Sequence, residues 1–426
     1  MNRSLSFHER VKRIWRSVYW SAIAPGSRVT SARRLSDMWP QVLPVTVGPL
    51  RGVWPSTQEW FAAARRSENL SAQVAEQYQY WEFHPNTRIE STPPKGIEAE
   101  LHPVFQTDLV SQLPGTFVCQ FPQGRVLGRN GAVVAPDGYL LGDVFQSFQL
   151  SPTDYAEYRQ LQFPAVKVLS GKTAVLATTG GNQFFHWIFD VLPRLHLLEQ
   201  RYDIADIDWF VIPDTEAAYA RDTLALLGIP PEKCLKANRQ LHVRAEVLLL
   251  PSLAGSTNHP SAWACQFLRD RFLLEPSHPP HRRIYVSRQN SRRKAINGET
   301  LETLLTSWGF VTVELEKLPF SEQVRLFSEA TAVVALHGAG LSNLVFCSPG
   351  TKVIELFSSN YVKVLYWHLS DVLDLDYYYA IGQGSASEDG SSIDPIIEDV
   401  RLDLDRVEQT LALAGLRPLP HENRSA

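Results

Sequence analysis

Cysteine is scarce: Cys119, Cys234, Cys265 and Cys347 stand far apart in 426 residues, and no C-x-x-C occurs. That excludes a disulfide framework and the usual zinc-knuckle spacings, and it fits a reducing compartment. Long apolar runs are also missing. No stretch of about 18 such residues is present, so the sequence offers no membrane-spanning helix. The basic N-terminus lacks the uninterrupted apolar core of a signal peptide. Neither charge sign dominates: 41 Lys and Arg oppose 45 Asp and Glu, a net of -4, which argues against nucleic acid as a bulk electrostatic partner. The dinucleotide fingerprint G-x-G-x-x-G and the zinc helix H-E-x-x-H are absent. Asp374-Leu-Asp376 and Asp403-Leu-Asp405 match D-x-D in letters but fall in polar late segments, so no metal is expected at a phosphate site.

What is present reads as an α/β protein of two or three domains. Residues 1–40 carry eight Lys and Arg against Glu9 and Asp37, with Phe7, Val11, Ile14 and Val18 at helical spacing. Such a basic amphipathic helix either lies on an anionic membrane surface or docks on the protein's own body. Residues 41–100 show no clear period. Asn130-Gly131 and Asp137-Gly138, flanked by apolar runs, predict an antiparallel meander within Leu101–Leu150. From Thr173 to Pro251, strands at Thr173–Thr179, Trp209–Pro213 and Val247–Pro251 alternate with helices, as in a parallel sheet. Glu275–Arg282, rich in proline and histidine, reads as a linker. Strand and helix then resume: strand Arg283–Ser287, helix Glu299–Ser307, strand Phe310–Val313, and a helix Ser321–Glu329 capped by Ser321. Tyr377–Ile381 adds a strand, Gly382–Ser392 a mobile loop and Asp399–Ala414 a terminal helix, with a disordered tail after Arg417.

Two stretches carry candidate chemistry. In the first, Gln183–Glu199 forms a helix in which Asn182, His186, Asp190 and Arg194 recur every four residues among aromatic neighbours. So narrow a polar seam suggests a buried helix facing a cleft, kinked or ended by Pro193. His186 and Asp190 admit three readings: an internal hydrogen-bonded pair, a metal pair without an evident third ligand, or a general base at Asp190 tuned by its neighbour. The second stretch is Ala330–Phe357. Its apolar strand Ala332–Leu336 leads into His337-Gly338-Ala339-Gly340 and a helix Leu341–Phe346. Free amides at that helix start suit an anion such as phosphate. Glu355, near the end of the returning strand, is placed to hold ribose hydroxyls. Arg288 follows a strand's carboxyl end, where a guanidinium can clamp a pyrophosphate.

HGAGLSN followed by SPGTKVIEL resembles the donor-site segment of glycosyltransferase family 61, as does Tyr285-Val286-Ser287-Arg288 with Arg293. N-x-x-x-H-x-x-x-D, here Asn182, His186 and Asp190, is similar to the family's acceptor-side motif, and Arg194 continues that seam. The resemblance spans about residues 105–385. It implies two Rossmann-like domains facing a cleft, the GT-B type. The expected divisions are a basic extension (1–100), an acceptor-side α/β domain with the meander (101–275), a nucleotide-sugar-binding α/β domain (283–385) and a C-terminal helix and tail (386–426). In that picture His337, Gly338, Ala339, Gly340, Leu341, Asn343, Arg288, Arg293 and Glu355 hold a nucleotide-sugar donor. Asp190, with His186, takes the proton of a glycan or lipid-linked acceptor. The implied reaction is inverting, with no cofactor beyond the nucleotide sugar and no metal. The expected setting is bacterial polysaccharide biosynthesis, cytoplasmic or peripheral to the inner membrane. An NAD-type or nucleotide-sugar-processing oxidoreductase and an inactive sugar-binding protein stand as alternatives.

Overall fold

A computed structural model describes residues 45–47, 50–66, 72–144, 160, 162–256, 258–273, 279–384 and 394–420. The basic N-terminal helix expected over 1–40, most of the loop expected over 382–392 and the end of the tail expected after Arg417 lie outside these; residues 382–384 of that loop belong to a strand. Among the described residues, no helix is long and apolar enough to cross a membrane.

The first sheet has ten strands. They are β1 (Gly52–Trp54), β2 (Gln79–Glu82), β3 (Phe117–Pro122), β4 (Arg125–Leu127), β5 (Ala132–Val134), β6 (Tyr139–Leu141), β7 (Lys167–Val175), β8 (Trp209–Pro213), β9 (Cys234–Ala237) and β10 (His242–Pro251). Their order is β9-β8-β7-β10-β4-β5-β6-β1, with β3 on β10 and β2 on β3. β7 to β10 pair in parallel. Each needs a crossover, supplied after β7 by the helical stretch Phe184–Glu199 and after β8 by a helix, Ala218–Leu226. β10 is long enough to serve two antiparallel partners, β4 beside His242–Arg244 and β3 beside Val247–Pro251. The meander turns fall where expected, with Gly131 at φ 65° and Gly138 at φ 89°, a region that favours glycine. Residues 50–100 do not stand apart from the body: β1 pairs β6 and β2 pairs β3 within this sheet. Strands of three or four residues carry too little alternation to betray themselves in sequence.

The second sheet contains β11 (Arg282–Val286), β12 (Phe310–Val313), β13 (Ala330–Leu336), β14 (Lys352–Ser358), β15 (Asp376–Gly384) and β16 (Val400–Arg401). Its order is β12-β11-β13-β14-β15-β16, parallel except at β16. This is the 2-1-3-4-5 winding, which reverses direction between β11 and β13 and leaves a crevice at their carboxyl ends. The expected linker begins outside the described residues and ends inside the sheet, since Arg282 already belongs to β11. The helix expected from Ser321 runs Phe320–Ser328 with Pro319 at the cap, so Ser321 caps nothing. The terminal helix is Leu404–Leu413; its cap is Asp403, whose carboxylate accepts from the amides of Asp405 and Arg406.

One apolar cluster joins the sheets. It takes Ala174, Leu192 and Leu249 from the first and Val286, Val333, Phe357 and Tyr379 from the second. Glu98, in the segment before β3, forms an ion pair with Arg406 of the terminal helix.

Candidate active site

β11 and β13 deliver the two halves of the site. Beyond β11, the chain turns at Ser287 and Arg288; beyond β13, His337 and Gly338 lead into a helix of the tight, three-residue-per-turn kind, Ala339–Phe346. The helix thus begins two residues earlier than expected, inside the glycine loop. Gly338 has φ 171°, an extended value open to any residue, so its role is close approach. A Cβ there would fall on Nη1 of Arg288 and lie 2.6 Å from Cζ. The guanidinium occupies the space the missing side chain leaves.

Arg288 donates from Nε to the carbonyl of Arg293 (3.3 Å) and from Nη2 to that of Arg292 (2.8 Å). Arg293, buried and at a strained φ of 59°, lies over the ring of Tyr361 at 4.3 Å. Its Nε and Nη1 are buried and have no hydrogen-bond partner among the described residues. Burial lowers the affinity of both groups for their protons, and the charge of Arg293 adds to the effect at Arg288. Two guanidinium groups thus converge without a bonded carboxylate among the described residues, an arrangement that an anion relieves.

A cavity of about 370 Å³ opens beside Arg288. Val286, Arg288, Gly338 and Gly340 form one wall; Phe184 and Tyr219, from the first sheet's helices, form the other. Leu315, Leu318 and Phe320 make it apolar, and Glu316 and Gln323 give it polar points. Leu341 also faces it, and Ala339 beside them is half-buried.

Glu355 does not reach this space. It sits mid-strand and fully buried, with Oε1 at 2.5 Å from His337 Nδ1 and Oε2 accepting from Tyr377 Oη at 2.5 Å. The ribose contact expected of it is therefore replaced by a support under the loop. Burial pushes His337 below the ordinary imidazole range, with Glu355 opposing. Asn343 is likewise inward: its Nδ2 donates to Gly340 O (3.1 Å) and Gln323 Oε1 (3.0 Å), pinning the loop rather than facing a donor.

The helical stretch Phe184–Glu199 departs from regular form. Trp187–Val191 is a π turn, in which the Leu192 amide reaches back five residues to Trp187 O at 3.0 Å. Pro193 has no amide for the ordinary ladder, and the wider turn absorbs the loss. Asp190 is buried at 3% exposure, and its Oδ2 meets His186 Nδ1 at 2.6 Å. The histidine side chain is the more open of the two, 12% against 4%. The polar seam does not continue to the surface at its far end. Arg194 is fully buried, donating to the carbonyls of Val175 (3.3 Å), Ala177 (3.1 Å) and Val144. It staples the end of β7 and is no acceptor contact. Asn182 is exposed, and its carbonyl accepts from Tyr219 Oη at 2.8 Å. Tyr366 bridges the two sides, its ring centroid 5.4 Å from His337 and 5.9 Å from Phe185. The tyrosines 219, 361, 366 and 377 gave no sequence signal, being apolar-compatible residues of ordinary helices, loops and strands.

These features define an α/β protein with an anion-ready crevice at the point where its parallel sheet reverses. Residues 184–354 match the family model Glycosyltransferase 61. Over 57 residues (13% of this chain, 11% of the relative) it is 42% identical to the beta-1,2-xylosyltransferase RCN11 of Oryza sativa subsp. japonica. It is 29% identical over 99 residues (22% and 19%) to the EGF domain-specific O-linked N-acetylglucosamine transferase of Drosophila melanogaster. It is 25% identical over 153 residues (34% and 28%) to the beta-1,2-xylosyltransferase of Arabidopsis thaliana. The chain spans less than a third of the length of each of these relatives.

Proposed function

We propose that the chain is a glycosyltransferase of the GT-B type that moves a sugar from a nucleotide donor to a hydroxyl of a glycan. The observation that carries this reading is the pair of guanidinium groups, Arg288 and Arg293, gathered without a bonded carboxylate among the described residues at the switch point of the second sheet. The donor diphosphate sits against Arg288 and the amides that follow Gly338. Its base enters the apolar cavity between Leu315, Phe320 and Tyr219.

Transfer through an oxocarbenium-like transition state needs one proton removed from the acceptor and one anionic leaving group neutralised. The guanidinium groups and loop amides do the second, so the diphosphate requires no metal in this scheme. For the first, His186 is the better-placed base. Asp190, the more buried of the two, fixes the imidazole through Nδ1. Direct displacement assisted by one base inverts the anomeric centre. The relatives' names make xylose and N-acetylglucosamine the first sugars to try. A lipid-linked acceptor, and membrane contact through the basic N-terminus, belong to the same proposal.

The test is a calorimetric and thermal-shift panel of nucleoside diphosphates and their sugars, repeated on Arg288→Ala. At least one diphosphate is expected to bind and to lose affinity in the variant. If none binds, or if Arg288→Ala binds as the parent does, the donor site is misplaced.

A further inference from the structure

Outside the crevice, three segments remote in sequence bring two imidazoles and a carboxylate together. Asp108 follows the short helix Pro103–Gln106; His259 lies in the loop beyond β10; His368 is on a helix, Leu365–Val372, of the second sheet. One ligand atom from each lies within 4.8 Å of the others, the one such group of three among the described residues. We propose that Asp108, His259 and His368 form a binding site for a divalent transition-metal ion of the zinc type.

Geometry is the first support. His368 Nε2 is 3.3 Å from Asp108 Oδ2, and His259 Nε2 is 3.7 Å from Asp108 Oδ1. Bonds of about 2.0–2.1 Å at tetrahedral angles put neighbouring ligand atoms about 3.4 Å apart. Two of the spacings, each to a different oxygen of Asp108, are close to the edge of such a tetrahedron.

Orientation is the second. Each imidazole has its outer nitrogen held by a hydroxyl: His368 Nδ1 by Ser91 Oγ at 2.9 Å, His259 Nδ1 by Ser256 Oγ at 3.1 Å. Outer-nitrogen partners of this kind set the tautomer of metal-binding histidines and turn the other nitrogen's lone pair inward. Trp367 stacks beside His368 at 4.2 Å and donates its indole N–H to Thr92 O at 2.7 Å, fixing the helix that carries the ligand.

Third, His259 Nε2 is buried without a hydrogen-bond partner among the described residues, although it points at a carboxylate. The two imidazole rings lie 3.8 Å apart between centroids, and both face the Asp108 carboxylate. Asp108 keeps a quarter of its side chain exposed, which gives the ion a way in and leaves a coordination position for water.

The site uses no residue of the cavity wall, and it is independent of the glycosyl-transfer reading. Because its ligands come from both sheets' surroundings, the ion would lock the segment around Asp108 to the helix Leu365–Val372.

The experiment measures metal directly. The full chain is loaded with excess Zn²⁺, freed of loose ion, and its zinc counted by inductively coupled plasma mass spectrometry; Co²⁺ then replaces it for visible spectroscopy. One equivalent of zinc and the intense bands of a low-symmetry four-coordinate cobalt centre are expected. Both should fall to background in His259→Ala and in the near-isosteric Asp108→Asn. The circular-dichroism spectrum and melting curve of Asp108→Asn serve as the control for an intact fold. No zinc above the buffer blank in the parent overturns the proposal, as does wild-type occupancy in Asp108→Asn with its fold intact. Because no nucleotide enters this experiment, a failed donor site leaves the zinc count and its meaning unchanged.

Discussion

Gly338→Ala separates a positioning argument from a mere loss of charge. The backbone at 338 is extended, so alanine brings no conformational strain, and the atom its methyl strikes is the mobile end of Arg288. The chain should therefore fold, with the guanidinium pushed from its seat against the loop. A charge-assisted hydrogen bond contributes about 1.5–3 kcal/mol, so displacing the group should weaken nucleoside-diphosphate binding roughly 10- to 150-fold. The assay is titration calorimetry on the parent, Gly338→Ala, Arg288→Ala and the double variant. If alanine acts only through the guanidinium, the double variant binds no more weakly than Arg288→Ala, a strongly non-additive cycle. Additive losses, or an unchanged affinity in Gly338→Ala, would refute the claim that the glycine exists to admit Arg288.

Other outcomes follow from the same geometry. Asp190→Asn removes the carboxylate that fixes His186, so kcat should drop roughly 10²- to 10⁴-fold with donor affinity retained; unchanged turnover removes the pair from catalysis. Tyr377→Phe deletes one of the two donors to a fully buried carboxylate, and chemical denaturation should show a loss of about 1–3 kcal/mol. Acid should destabilise the protein. Burial lowers the proton affinity of His242 and His337 in the folded chain, whereas the unfolded chain takes up protons at about pH 6.5. The stability these residues lend is whole above that value and is lost as pH falls from it toward the lowered folded values. A melting temperature that holds steady between about pH 7.5 and 5.5 contradicts this.

Much of the parallel framework was legible. Trp209–Pro213 and Phe310–Val313 coincide with their expected bounds, since covered strands write themselves as short apolar runs. The anion loop was legible for a related reason: glycines after such a run mark the strand's carboxyl end. Side-chain direction was not. Glu355 has the same letter whether it faces a ribose or a histidine beneath the loop, and only the register of β14 against β15 decides. Arg194 shares the four-residue spacing of His186 and Asp190 yet turns to three carbonyls of the strand behind it. Asp108, His259 and His368 leave no spacing at all, because their meeting is made by the packing of the two sheets.

The apolar cluster shared by both sheets also bears on how the protein can be cut and recombined. Severing the chain near residue 280 would bare Leu192 and Leu249 on one piece and Val333 and Phe357 on the other. Each fragment would then display a greasy face with no counterpart, a recipe for aggregation. Chimeras that trade one half for that of a relative must carry its matching contact face across as well.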